Sequence, residues 1–456
     1  MTEGNGKIRV YECARIETPK DVSERLREIA AAPPVTAIVG LPEIHLKAKL
    51  EAPSSVAIAT RDLVSAQLSS PSPNCGMAVL ALDLGAADAA TRIDELFGLL
   101  RGVIPMRRSP YELARADAIA AMKEGADFTR SRFDELELPL SRVDDGGRQA
   151  LLGDGGLDVE MPDSLIDVAR RDYGALGGGN HFLELQTVAE VLDPAAAAAY
   201  GLAEGQLAIH YHTGSGMFGY EIGRLYAYRR KVSPRLLPRI MARKLVFHAA
   251  HAGGPAGLAR RYRLFVEPKR FSWVEAESPE GEEMLAALAL ATNFGYANRS
   301  AIATAAAAAV GAVFGDTGVR LVYDSDHNSI TQEDGRWIHR HNAVRCVPGV
   351  PGDAFDGYGA PVLVPGLDLS SSYICRPGAA ASAALDSVDH GAGGAVKALG
   401  AERDDGRVTT RYRFSGAKEE AGHVTDDGID CVVATLAAAD LAHPVVRMTP
   451  LAVLKE

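Results

Sequence analysis

The chain has 456 residues, 47% of them hydrophobic, and a formal net charge of −11. That apolar share supports a large packed core and excludes an intrinsically disordered chain. The acidic balance counts against a general nucleic-acid binder, which is usually basic.

In chain order, the first eleven residues are polar and mixed in charge, so they read as neither a signal peptide nor a membrane helix. No later apolar run reaches membrane-spanning length. Thr18-Pro19 followed by Val22, Leu26 and Ile29 predicts a capped amphipathic helix, and residues 35–41 a short buried strand. Helical spacing marks residues 93–100 and 112–122 and, as the longest signal, the alanine-rich stretch 284–313. Runs at 207–211, 320–323, 361–364 and 408–414 read as strands. No repeat and no long polar linker divides the chain, so one large α+β unit is expected, its site on a cleft floor formed by loops at element ends. The five cysteines are scattered and lack Cys-x-x-Cys spacing. That speaks for a reducing compartment and against a disulfide scaffold or zinc knuckle, hence for a soluble cytoplasmic protein.

Charge is unevenly spread. Residues 224–263 carry Arg229, Arg230, Lys231, Arg235, Arg239, Arg243, Lys244, Arg260 and Arg261 and no acid, with Tyr226 and Tyr228 interleaved. Such a segment is either a solvated basic helix face or a groove for a nucleic-acid single strand with rings that stack on bases.

The densest chemistry lies in Gly177-Gly178-Gly179-Asn180-His181-Phe182-Leu183-Glu184. Glycines admit a ligand close to the backbone, and an amide, an imidazole and a carboxylate follow within five residues, a pattern suited to an anion beside a metal. Similar small-residue settings surround Asn74-Cys75-Gly76-Met77, His212-Thr213-Gly214-Ser215, Asp324-Ser325-Asp326-His327-Asn328 and His390-Gly391-Ala392-Gly393.

Taken in order, these segments resemble the RtcB family of GTP- and manganese-dependent RNA ligases. Further likenesses are Leu41-Pro42-Glu43-Ile44-His45, the stretch from Ala291 to Arg299, His339-Arg340 with Ala343-Val344-Arg345, and Pro450 through Lys455. The resemblance implies an N-terminal segment (1–34) followed by one ligase domain (35–456), with mixed β-sheets and flanking helices around a metal-containing cleft. It implies one or two Mn2+ ions, with Cys75 bridging, His181 completing one site and His212 with His327 the other. It implies His390 as the nucleophile that becomes guanylylated. The nucleotide pocket would comprise Asn180, His181, Phe182, Leu183, Glu184, His327, Asn328, Pro365, Gly366, Ser372, His390, Gly391, Ala392, Gly393 and Lys455, with Glu184 on the guanine edge. The implied partners are GTP and RNA with 3′-phosphate or 2′,3′-cyclic phosphate and 5′-hydroxyl ends.

The sequence also departs from the family pattern. Ser72 stands where the family has a metal-binding Asp, Gly216 and Gly394 replace arginines, Met217 replaces a glycine, His341 a lysine, and Gly366-Leu367-Asp368-Leu369 a Gly-Ser-Met-Gly loop. A serine hydroxyl is a weaker ligand for a hard cation than a carboxylate, and two phosphate-clamping guanidiniums are gone. The alternatives are nucleotidyl-histidine or metal-dependent phosphoesterase chemistry on another substrate, or an inactive RNA-binding homologue.

Overall fold

The computed structural model describes residues 2–4, 6–47, 50–133, 136–150, 161–227 and 235–456. Two mixed sheets and a central helix organise them. The larger sheet has nine strands, seven of which run in the order Val319–Asp326, Gly76–Gly85, Gln206–Thr213, Phe182–Val191, Ala442–Lys455, Ser372–Pro377 and Val362–Val364. The hairpin Val408–Arg413/Lys418–Gly422 joins it alongside Ala442–Lys455 in the parallel sense. The second sheet has six strands, in the order Thr2–Gly4, Ile8–Val10, Val35–His45, Ser54–Thr60, Arg336–His341 and Ile330–Glu333. Ile8–Val10 pairs parallel with Val35–His45, so residues upstream of 35 share a sheet with those after it.

The predicted elements form within a few residues of the expected bounds: the helix expected at 112–122 runs Arg115–Glu124, and the first helix lacks the expected side-chain cap. Pro19 precedes the helix Lys20–Ala30, which buries Val22, Leu26 and Ile29 at the expected spacing. The alanine-rich signal becomes a helix of 36 residues, Pro279–Phe314. Ser278 caps it by accepting from Gly281 N–H, Pro279 starts it, and Gly315 ends it at φ 73°. It is buried on nearly every side because it threads between two apolar clusters: its first half packs with Phe218 and Phe265, its second with Leu80, Leu183 and Ile209.

Three sequence expectations are corrected. The 36-residue helix is long and apolar enough to cross a membrane, contrary to the reading that no run reaches that length; residues 284–313 hold a single charge, Arg299. Yet 72% of its most apolar window is buried inside the protein, as befits a core helix. Cys13 and Cys431 form a disulfide across a Cα–Cα distance of 5.8 Å, a pairing 418 residues apart that no spacing rule exposes. Third, much of the described part of the basic segment is paired with acids instead of forming a free cationic face. Arg224 and Arg243 pair with Glu221, Arg260 with Glu280 at 2.6 Å and Arg261 with Glu283, while Lys244 donates to the Ala227 carbonyl. Tyr226 is buried and donates to Glu283, which removes it from any base. Arg235 and Arg239 stay exposed. Tyr228, Arg229, Arg230 and Lys231 lie outside the described residues.

Candidate metal centre and nucleotide pocket

Four adjacent antiparallel strands of the large sheet bring their chemistry to one edge. Cys75 precedes Gly76–Gly85, His181 precedes Phe182–Val191, His212 is the second-last residue of Gln206–Thr213, and His327 follows Val319–Asp326. Because neighbours alternate in direction, these starts and ends coincide: Met77 and Phe182 both pair with His212, and Gly76 with Asp326. Alternation sorts the faces. Leu183, Ile209 and Tyr211 enter the core under the long helix, leaving Phe182, Glu184, His210 and His212 on the opposite face.

Cys75 Sγ lies 3.0 Å from His212 Nε2 and 3.4 Å from His181 Nε2. The ligand atoms of these three residues all fall within 4.8 Å of one another, which is a spacing one metal ion can bridge. His181 Nδ1 is 2.7 Å from the Leu176 carbonyl and His212 Nδ1 3.2 Å from the Asn180 carbonyl. A proton on each Nδ1 leaves the Nε2 lone pairs aimed at the thiol, the usual support of a metal-binding imidazole. The His327 ring is 5.0 Å from that of His212 and 4.7 Å from that of His390, and Nδ1 of both His327 and His390 is buried without a partner. His390 arrives from another layer: Ser387–Asp389 pairs with Ala343–Arg345, and Ala343 N–H donates to the His327 carbonyl.

The long helix holds this edge in place through Arg299. Its buried guanidinium donates to Asp324 at 2.6 Å and to the carbonyls of Asn74 and Thr213. A side chain at Gly76 would collide with that guanidinium, and one at Gly214 with the Asn74 carbonyl. Asn74 itself sits at φ 48° and is fixed by donating to Thr292 O at 2.6 Å. The glycines beside Cys75 and His212 are therefore required by close packing.

Burial tunes every group. It pushes the Cys75 thiol up to about 12, despite Arg299 and Lys47 nearby. It lowers His181, holds His212 and His327 well below the usual imidazole range, and takes His390 down to about 3, assisted by Lys47 and His45. The imidazoles are thus neutral with available lone pairs, and a metal bound there would displace the thiol proton to solvent.

The expected nucleotide residues converge in part. Glu184 accepts from Gln186 at 2.7 Å, Gln186 also donates to Ser372 Oγ, and Ser372 Oγ accepts from Gly366 N–H. Ala392 N–H donates to the Pro365 carbonyl, so His390 through Gly393 lies against that turn. Lys455 pairs with Asp368 at 3.3 Å. Leu183 is buried in the core on the other face, so only its backbone borders the pocket. Asn180 is exposed at the rim, and Asn328 Oδ1 accepts from Asn342 N–H.

Further residues meet at this edge, and of them Asp389, Lys47, His210 and Asp172 carried no sequence signal. Glu43 accepts from Gly394 N–H at 2.8 Å and from Ala395 N–H, taking the helix start that follows the His390 loop. Buried Asp389 accepts from Glu43 N–H through one oxygen and has no partner on the other. Lys47 faces Cys75, His327 and His390. His210 is buried with both ring nitrogens unpartnered. Gly216, at φ 60°, faces the Asp172 carboxylate, which accepts from Phe218 N–H, so an acid occupies the space beside that helix start. Among the described residues the tight cluster has no carboxylate: neither Glu43 nor Asp326 belongs to it.

A buried thiol among neutral imidazoles at a sheet edge, beside a further imidazole whose Nδ1 has no partner, defines a candidate metal-binding α+β protein. The family model described as tRNA-splicing ligase RtcB matches residues 25–456, and the chain belongs to that family. A tRNA-splicing ligase RtcB of Pyrococcus horikoshii is 29% identical over 423 residues, covering 84% of this chain and 44% of that protein. An RNA-splicing ligase RtcB of Mycobacterium tuberculosis is 30% identical over 355 residues, covering 73% and 74% respectively. One from Thermococcus kodakarensis is 28% identical, covering 84% and 80%. The chain therefore spans less than half of the Pyrococcus relative and about three quarters or more of the other two.

Proposed function

We propose that this protein is an RNA ligase that joins 3′-phosphate or 2′,3′-cyclic phosphate ends to 5′-hydroxyl ends, with GTP as co-substrate, manganese as metal and His390 as the residue that carries guanylate. The observation that carries this reading is the convergence of Cys75, His181, His212, His327 and His390 at one sheet edge in a member of the RtcB family.

The donor set fits a borderline divalent cation: one thiol and two imidazoles within bridging distance, and a third imidazole beside them. When bound, such an ion offsets negative charge on the phosphates undergoing transfer. The remaining work belongs to the chain. His390, neutral because it is buried, offers a nitrogen lone pair to the α-phosphorus of GTP; a P–N bond forms and the bond to pyrophosphate breaks. Lys47, beside it, supplies a positive charge for the phosphates. Glu184, backed by Gln186, accepts from the guanine N–H and amino groups, which a purine lacking those donors cannot satisfy. The guanylate then passes to the RNA 3′-phosphate, and attack by the 5′-hydroxyl expels GMP.

Incubation with α-labelled GTP and manganese, followed by joining of a 3′-phosphate strand to a 5′-hydroxyl strand, tests both halves. Label without joining would favour the second reading, nucleotidyl-histidine or phosphoesterase chemistry on another acceptor, which draws on the carboxylate-free cluster at Ser72 and on Asp172 beside Gly216. Neither label nor joining would favour an inactive RNA-binding homologue.

A further inference from the structure

The Gly177–His181 loop is tied to a second feature that the metal centre does not use. Leu176 N–H and Gly177 N–H donate to the carbonyls of Pro105 and Met106, and Ser109 N–H donates to the carbonyl of Arg171. Arg107 and Arg108 thus follow directly on a backbone bonded to the loop, and the C-terminal end of helix Asp163–Asp172 brings Arg170 and Arg171 alongside. Between them lies a surface groove of about 550 Å³, lined by Arg108, Tyr111, Glu112, Asp167, Arg170 and Arg171. Three exposed arginines, Arg108, Arg170 and Arg171, face two carboxylates there, with exposed Arg107 next to the groove in the sequence, in a chain whose net charge is −11. Arg170 is shared with Asp167 at 3.3 Å, whereas Arg107 and Arg108 have no ion-pair partner among the described residues. Arg108 is held at φ 73°, a conformation that glycine adopts freely and an arginine does not, so its side chain is retained there against the backbone's preference.

We propose that this groove binds the phosphate backbone of single-stranded RNA and leads a strand end to the His181 edge of the site. The choice of RNA rests on the ligase reading; the positive groove and its link to the loop do not. Phosphates recognised by guanidiniums alone carry no sequence preference, and their binding weakens with salt by about 0.7 logarithmic units per contact for a single strand.

The test uses the full chain and a short fluorescein-labelled RNA ending in a 3′-phosphate, with anisotropy titrated between about 50 and 200 mM salt. Arg171→Ser combined with Arg108→Gly should weaken binding about tenfold and flatten the logarithmic salt slope by about 1.4, the value for two lost contacts. Arg108→Gly alone should leave the melting temperature equal or higher, because glycine suits that backbone, and guanylate labelling should be unchanged in both variants. Unaltered affinity and slope in the folded double variant would overturn the groove, whatever the labelling shows. Groove-dependent RNA binding without any labelling of the wild type would sink the ligase reading and leave the groove standing.

Discussion

Glu184 shows how one position serves stability and recognition in opposite directions. Burial, reinforced by Asp368, pushes its carboxyl up to about 8, well above its value in an unfolded chain. A group with a raised folded pKa favours folding fully below its unfolded pKa, and that contribution is lost as pH rises toward the folded pKa. Glu184→Gln should therefore match the wild type in urea unfolding near pH 4 and exceed it by about 3 kcal/mol near pH 7. The same change should erase discrimination of GTP from ATP, read by competition in the labelling reaction. Cys75 carries the matching argument for metal. Its thiol stays protonated to about 12 while the metal is absent, so binding must release a proton. Manganese affinity measured by calorimetry should rise about tenfold per pH unit between roughly pH 6.5 and 8.5, and Cys75→Ser should abolish the slope. His210 and Lys47 illustrate what sequence reading misses at this scale. Nothing beside His210 in the chain distinguishes it from a core histidine; only pairing with Glu184 across the strands makes its two unpartnered nitrogens apparent.

At the scale of elements, Arg299 couples the long helix to the site. It is the only charge between residues 284 and 313, fully buried, and bonded to the loop that carries Cys75. Asp324→Asn would leave that guanidinium without its counter-charge, costing about 3–5 kcal/mol in unfolding free energy, and would weaken manganese binding by loosening the Asn74–Cys75 turn. Unchanged metal affinity in a destabilised Asp324→Asn protein would show that the helix supports the fold and not the site. Elements with a one-sided period were legible in the sequence. The helix Lys20–Ala30 announces itself through Pro19 and the spacing of Val22, Leu26 and Ile29. Strand Gly76–Gly85, buried on both faces along Met77 through Leu82, shows a continuous apolar run with no alternation to read. Ion pairing was equally opaque. The basic segment looked like a charged face because its acids lie outside it: Glu221 just before Arg224, and Glu280 and Glu283 about twenty residues beyond Arg260 and Arg261.

Over the whole molecule, the candidate site is the place where two sheets, the central helix and the Ser387–Asp389 strand meet. The motif histidines were legible one at a time because each sits among glycine or asparagine neighbours, of which Gly214 is required by close packing. Their order in space was not, since it depends on four antiparallel strands ending together and on a second layer that carries His390. The departures at Ser72 and Gly216 are likewise local in sequence, while their consequence, a thiol–imidazole cluster without a carboxylate and an Asp172 side chain beside Gly216, appears only in the fold. All of this serves a single chemical event at His390, and the most direct measurement is covalent. Wild-type protein and His390→Asn, which keeps similar bulk and polarity, are incubated with α-labelled GTP and manganese and then denatured. The account expects an acid-labile, base-stable label on the wild type and none on His390→Asn, with both proteins equally folded; label persisting in the variant, or none on the wild type, would contradict it.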